Sequence, residues 1–334
     1  MISQVTGGAG AARAARGSPI VNGVEHDPAE AGVARTYVVG DVHGHRDELV
    51  EALHATGLVD RAGGWTGGTD HLWFLGDFVD RGPDGIGVID LVMRLGREAA
   101  EAGGQVEALL GNHEVLLLGM HRFGGTEVPS DFGPRSFARS WEMNGGLLSD
   151  QEGLTDEHVD WLTTRPVVAL VGDDLLMHSD TTEYFYWGDD VDSVNDGVRE
   201  VLHSDDIVEW WELWRRMTTR YAFRGPDGER AVDECLAAFG GTMVIHGHSV
   251  IADQVGLPPA LIEGPYHYAG GKALGVDAGL FVGGPCLVVP LPWQPPTPED
   301  TSWADEDDED EDPSPEDTDT PGEPDTPDDT TKPD

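Results

Sequence analysis

The sequence is poor in cysteine, in positive charge and in long apolar runs, and each shortage excludes something. Two cysteines occur in 334 residues, Cys235 and Cys286, both in apolar contexts. A disulfide framework or a thiolate metal site needs more than this, so both read as buried free thiols. Their scarcity suits a reducing, cytoplasmic setting. Lys and Arg together number 20 against 63 Asp and Glu, for a formal net charge of −43. Such a chain repels a nucleic-acid backbone at long range, so nucleic acid is not an expected partner. No apolar run approaches the roughly 20 residues that span a bilayer, so no membrane partner is expected either. The first 34 residues are rich in Ala and Gly, with Arg13 and Arg16 but no apolar stretch. They do not read as a secretory signal. A flexible extension, or a start codon placed too early, fits them better.

The negative charge is uneven. Residues 297–334 hold 18 acids and one Lys, and the remaining 296 residues carry −26. Residues 293–334 consist mainly of Pro, Asp, Glu and Thr. They cannot bury enough surface to offset the entropy of ordering, so this tail is expected to be disordered. An acidic body suits a site that attracts divalent cations. It equally suits a solubility or salt-tolerance habit, and composition does not separate the two.

Hydrophobic residues make up 39% of the chain, enough for a sizeable core over residues 35–292. That region alternates short apolar runs with helical patterns, the mark of an α/β protein. Arg35–Val39 is followed by Gly40-Asp41-Val42-His43-Gly44 and a helical stretch near His45–Thr56. His71–Leu75 leads into Gly76-Asp77-Phe78-Val79-Asp80-Arg81-Gly82, then a helical stretch near Ile86–Glu101. Gln105–Leu110 leads into Gly111-Asn112-His113-Glu114. Two later runs end in histidine, Leu175–Met177 before His178 and Thr242–Ile245 before His246-Gly247-His248. Residues 121–165 read as an insertion with irregular Gly-rich parts. Each polar cluster thus follows a strand, and in α/β sheets ligands bind beyond the carboxyl ends of strands.

Asp41, His43, Asp77, Asn112, His178 and His248 are all oxygen or nitrogen donors at predicted strand ends. Carboxylate, imidazole and amide without thiolate suit Mn, Fe or Zn. Asp77 lies in the central cluster, where one carboxylate can bridge two cations. Two cations about 3.5–4 Å apart can hold a hydroxide between them and neutralise phosphoryl oxygens. Arginines can then hold the remaining phosphate oxygens.

The blocks Gly40–Gly44, Gly76–Gly82 and Gly111–Glu114, in that order, resemble the signature blocks of the calcineurin-like metallophosphoesterases. The Asp80-Arg81-Gly82 ending resembles the phosphoprotein phosphatase branch, including bacterial serine/threonine-phosphatase-like members. The resemblance covers roughly residues 36–290 and implies a β-sandwich of two mixed sheets flanked by helices. Strand-and-helix alternation alone does not choose between that fold and a doubly wound sheet. The resemblance implies Asp41, His43 and Asp77 at a first metal, and Asp77, Asn112, His178 and His248 at a second. It implies His113 as the acid for the leaving oxygen, Asp80 as the carboxylate that orients it and Arg81 as a phosphate clamp. Leu213-Trp214-Arg215-Arg216 resembles a bacterial block that favours Arg216 as a second clamp. Arg215, Arg220 and Arg224 are its rivals.

The implied reaction is hydrolysis of a phosphomonoester by a hydroxide bridging two metals, with manganese the expected metal. Substrates would be phosphoproteins, on Ser, Thr or Tyr, or small phosphoesters. Diadenosine tetraphosphate hydrolases share every block, which leaves that activity as the alternative. An inactive phosphate-binding module is the alternative from another class. Oligomeric state is not legible.

Plainer readings stand beside these. Asp41, Asp77 and Asn112 can cap helices, and His178 can be a core histidine. His178-Ser179-Asp180 also departs from the usual His-Gly of the family. His246 alternates with His248 and would share its strand face as a hydrogen-bonding neighbour. Trp210 and Trp214, at helical spacing, read as packing. Asn144-Gly145-Gly146 reads as a helix end or as part of a cap over the site, and Asp277 as a turn residue.

Overall fold

The computed structural model describes residues 34–130 and 133–295. The expected extensions, 1–34 and 293–334, fall outside the described residues apart from their innermost positions. The β-branched and aromatic runs form β1 (Thr36–Val39), β2 (His71–Phe74), β3 (Gln105–Ala108), β4 (Val168–Val171), β5 (Asp174–Met177), β6 (Met243–His246), β7 (Tyr266–Tyr268), β8 (Ala273–Gly275) and β9 (Val288–Leu291). Between them lie α1 (Arg46–Ala55), α2 (Gly85–Ala102), α3 (Asn112–Phe123), α4 (Phe137–Met143), α5 (Leu148–Gly153), α6 (Asp156–Thr163), α7 (Val191–His203), α8 (Ile207–Met217), α9 (Gly228–Phe239) and α10 (Ile251–Val255). The segment read as an irregular insertion therefore contains α4, α5 and α6.

The strands form two mixed sheets. One has the order β3-β2-β1-β9, with β9 antiparallel to β1 and the others parallel. The other has the order β4-β5-β6-β8-β7, with β5, β6 and β8 parallel and β4 and β7 antiparallel at the edges. Side chains alternate between two cores, as the period of a strand requires. Val38, Val289, Ala169, Leu176, Ile245 and Leu274 pack together between the sheets, joined by Leu75 and Leu109. Their neighbours Tyr37, Val39, Leu72, Phe74, Leu175, Met177 and Val244 point outward into the larger core. There they meet Leu49 and Leu53 of α1, Val88, Ile89 and Leu95 of α2, Val194 and Val198 of α7, and Val232 and Cys235 of α9. The result is the sandwich flanked by helices, not a single doubly wound sheet.

Parallel pairing within each sheet brings the carboxyl ends of β1, β2 and β3 together, and likewise those of β5, β6 and β8. Every block expected to carry a metal ligand leaves one of these ends. α8 carries Trp210 and Trp211, both buried, and packs them on α3 and α4: Trp210 against Phe123 and Trp211 against Phe137, with ring centroids 5.7 and 5.4 Å apart. Packing is thus the role of these tryptophans. Cys235 and Cys286 are free thiols. Among the described residues no helix is long and apolar enough to cross a membrane.

Inside α3, Gly119 lies under the ring of Phe137, where an added Cβ would come within 2.3 Å of two ring carbons. Gly→Ala in a helix interior ordinarily gains about 1 kcal/mol. Here Gly119→Ala is expected to lower stability, because it drives α4 off α3. Urea unfolding checks this, and a raised midpoint would contradict the packing.

Candidate metal centre

The turns after the strands are built from unusual backbone. Among the described residues, positive φ at non-glycine positions falls on His43 (45°), Asp77 (56°), Asp80 (66°), Arg81 (67°) and His248 (61°), and otherwise on Tyr221 and Ala269. Left-handed conformations at such residues cost energy and persist only where the surroundings enforce them. The enforcing contacts are visible. The Val42 and His43 amides donate to the Asp77 carbonyl at 3.1 and 2.8 Å. Glu114, fully buried, accepts from the amides of Asp77, Phe78 and Gly111 at 2.7–2.9 Å. Burial and the charge of Asp77 push the Glu114 carboxyl up to about 8, against the pull of these three amides. Two glycines permit the close approach: a Cβ on Gly111 would sit 2.2 Å from Asp77 Oδ1, and one on Gly247 2.3 Å from Asp41 Oδ1. None of Asp41, Asp77 or Asn112 caps a helix. His45 and Gly111 hold the cap positions of α1 and α3, and Asn112 is the first residue of α3.

The side chains converge from both sheets. Asp77 Oδ2 lies 3.7 Å from His43 Nε2, and Asp77 Oδ1 lies 3.4 Å from His178 Nε2. Asp41 Oδ2 is 3.9 Å from His43 Nε2, and Asp41 Oδ1 accepts the His248 amide at 2.9 Å. Two groups have donor atoms close enough to share an ion: His43, Asp77 and His113, and Asp77, His178 and His248, all buried. They overlap in Asp77.

The hydrogen bonds leave one lone pair free on each of three histidines. A carbonyl oxygen only accepts, so the nitrogen facing it must carry the proton. His43 Nδ1 donates to the Val79 carbonyl at 2.8 Å, and its Nε2 is buried without a partner. His178 Nδ1 donates to the Leu75 carbonyl at 2.7 Å, which leaves Nε2 as a lone pair 2.9 Å from Asn112 Oδ1. Two lone pairs then face each other, a pairing that a cation beside both would resolve. His248 Nε2 donates to the Thr218 carbonyl at 3.1 Å, freeing Nδ1. Backbone carbonyls fix metal-binding histidines in this way. Burial lowers the pKa of all three; His113 adds to the effect on His43 and His178 to that on His248. They are therefore neutral, as ligands must be. Asp41 is raised, by burial and then by Asp277 and Asp77. Neutral imidazoles with unpaired nitrogens around shared carboxylates fit a dinuclear centre of divalent cations.

Beside the two groups lies a second network. Asp80 Oδ2 accepts from His113 Nδ1 at 2.7 Å, Asp80 Oδ1 from Trp141 Nε1 at 3.0 Å, and the Asp80 amide donates to Asp150 Oδ2 at 3.0 Å. The Arg81 amide donates to the Gly145 carbonyl at 2.8 Å. The Arg81 guanidinium stacks 4.2 Å over Phe281 and donates from Nη2 to His113 Nε2 at 2.9 Å. Trp141, Asp150 and Phe281 were not among the expected site residues. Only the Asn144-Gly145-Gly146 turn hinted at the first.

The other arginines divide sharply. Arg216, the sequence-based choice for a second clamp, is committed elsewhere: it pairs with Glu183, lies 3.5 Å from Glu212 and stacks 3.7 Å over Tyr186. Arg215 is held by Glu212 and Arg224 by the Gln254 carbonyl. The charge of Arg220 acts on His178, His248 and Asp277. α8 ends at Met217, so Arg220 sits in the loop beyond it. His246 does not share a face with His248, because β6 ends at His246 and the chain turns at His248. Instead its Nε2 faces the Tyr268 hydroxyl at 2.8 Å.

A model of the calcineurin-like phosphoesterases matches residues 34–252. The chain belongs to the calcineurin-like phosphoesterase family. It carries two overlapping groups of buried His and Asp side chains that could hold metal ions. Among its relatives, Shewanella-like protein phosphatase 2 of Arabidopsis thaliana is 37% identical over 82 residues, 25% of this chain and 21% of that protein. The symmetrical bis(5'-nucleosyl)-tetraphosphatase of Escherichia coli is 38% identical over 135 residues, 40% of this chain and 39% of that enzyme. The chain thus spans well under half the length of either. A cold-active protein-tyrosine phosphatase of a psychrophilic Shewanella species has the same fold, with a TM-score of 0.58 at 24% identity over 78% of this chain and 76% of that one.

Glu114→Gln is expected to cost about 1–3 kcal/mol, since its amide NH2 would confront a backbone N–H that a carboxyl oxygen now accepts. Thermal unfolding of the metal-free protein measures this. An unchanged midpoint would mean that the three amides do not depend on Glu114.

Proposed function

We propose that this phosphoesterase removes phosphate from phosphoserine, phosphothreonine or phosphotyrosine in proteins. In this reading Asp41, His43 and Asp77 hold one divalent cation, and Asp77, Asn112, His178 and His248 hold a second. The observation that carries it is the orientation of Asp77, whose two oxygens face His43 and His178 at 3.7 and 3.4 Å. Manganese suits the mixed carboxylate, amide and neutral imidazole set, with iron and zinc also accommodated by it.

When bound, the cations supply the charge that activates water and neutralises phosphoryl oxygens. The chain's own groups do the rest. Arg81 and Arg220 hold the phosphate from two sides, with Arg220 taking the part first assigned to Arg216. At rest His113 Nε2 accepts from Arg81, so His113 is neutral and cannot give a proton. A phosphate that draws Arg81 away frees Nε2 to take up a proton from water. Asp80 holds the opposite Nδ1–H and stabilises the imidazolium, which then protonates the departing oxygen. Trp141 and Asp150 keep Asp80 in that position.

The stretch shared with a protein phosphatase supports a protein substrate. So does the net charge of −43, which opposes a dinucleoside polyphosphate more strongly than a single phosphorylated side chain. The longer match to a bis(5'-nucleosyl)-tetraphosphatase favours a second reading, hydrolysis of such nucleotides.

Assayed with Mn²⁺, the protein is expected to hydrolyse para-nitrophenyl phosphate and phosphopeptides, to lose both activities to a chelator, and to regain them with Mn²⁺. A kcat/KM for diadenosine tetraphosphate far above that for any phosphopeptide would establish the second reading instead. His113→Asn is expected to slow a phosphoserine peptide by about 10²–10⁴-fold and para-nitrophenyl phosphate much less, because the nitrophenolate leaves without a proton. Equal losses on the two substrates would remove His113 from the acid role.

A further inference from the structure

Asp277 follows β8 and is 2% exposed. Its Oδ1 accepts the Gly279 amide at 2.8 Å, as a turn residue would. Its Oδ2 is buried and has no hydrogen-bond partner. A turn-capping carboxylate has no need to bury its second oxygen, and leaving it unpaired away from water is costly. Among the described residues, the other metal-centre atom in the same condition is His43 Nε2.

The position of Asp277 is fixed from both sheets. Its carbonyl accepts the Ile251 amide at 2.8 Å, and the Val276 amide donates to the His246 carbonyl at 2.9 Å. Gly40 packs against the Val276 carbonyl so closely that a Cβ there would lie 2.9 Å from the oxygen. Asp277 is thereby wedged between the Asp41 turn and the His248 turn. Its charge acts on Asp41, and it feels Asp77, Arg81 and Arg220. Three buried carboxylates, Asp41, Asp77 and Asp277, therefore act on one another electrostatically.

We propose that Asp277 contributes its free Oδ2 to the shell of the cation held by Asp41, His43 and Asp77, and so sets the affinity of that site. The proposal rests on the dinuclear reading above. Asp277 in this role holds the cation and touches no substrate atom.

Asp277→Asn is the direct test, because it keeps an oxygen for the Gly279 amide and removes only the charge and the free acceptor. Mn²⁺ binding is measured by calorimetry, with the number of ions per chain checked by elemental analysis and their coupling by electron paramagnetic resonance. The wild-type protein is expected to bind two ions. In Asp277→Asn, one of the two dissociation constants should rise about 10–100-fold, the range typical for groups supporting metal ligands, and the coupled signal should give way to that of an isolated ion. Asp174→Asn, which removes a buried acid at the far end of β5, should leave both constants unchanged. If Asp277→Asn does not fold, Asp277→Ser retains a short acceptor for Gly279 and should show the same single loss. A wild-type protein that fails to bind two ions would refute the dinuclear reading itself. Two ions bound by Asp277→Asn with both constants within twofold of the wild type would overturn the role of Asp277 alone.

Discussion

Asp77 has to face two directions at once, and much of the site exists to make it do so. Its φ of 56° turns the side chain across the ends of both sheets. Its amide is taken by Glu114 from the third strand-end segment, and its carbonyl by the amides of Val42 and His43 from the first. Its Oδ1 accepts the His113 amide at 2.9 Å. A left-handed aspartate costs about 1–3 kcal/mol, and these bonds, at roughly 0.5–1.5 kcal/mol each, offset it. Three segments far apart in sequence thus share one residue. None of them can shift without releasing the others.

The sandwich supplies what Asp77 faces. A single apolar layer, with Val38, Leu75, Leu176 and Ile245 at its heart, separates the sheets. Sheets packed this way lie about 10 Å apart, which turns at strand ends can bridge and strand interiors cannot. His178 leaves β5 and bonds the Leu75 carbonyl beyond β2. The ring that presents a lone pair to Asp77 is therefore also a tie between the sheets, and the histidines are part of the fold as well as of its chemistry.

Much of this was legible in the sequence because the blocks combine short β-branched runs with Gly-Asp or Gly-Asn endings. Gly76 and Gly111 announce tight backbone, and the residues beside them inherit the site. The fold class needed more, since alternation of strand and helix is common to doubly wound sheets and to this sandwich. The resemblance of the three blocks pointed to the sandwich, and the division of the strands into two separate sheets shows it. Trp141 and Asp150 escaped notice because an indole and a carboxylate in an insertion carry no local pattern, and their meaning comes from Asp80, 61 and 70 positions away. Arg216 drew attention through the Leu213–Arg216 block, but the helical turn that aligns it with Glu212 also occupies it. Arg220 stands past the end of that helix, where periodicity gives no direction. His246 was matched to His248 on the assumption that the strand continued, and the turn at His248 ends it.

Asp80 links the inserted helices to the chemistry. Trp141 grips its carboxylate, Asp150 its amide, and Gly145 the amide of its neighbour Arg81. These three residues are not free to drift, since each change would be felt at His113. Between them stand Met143, 75% exposed, and Leu148, 65% exposed. Neither has a side-chain group that these bonds require. Met143 and Leu148 can therefore change without breaking any of the bonds that hold Asp80 and Arg81.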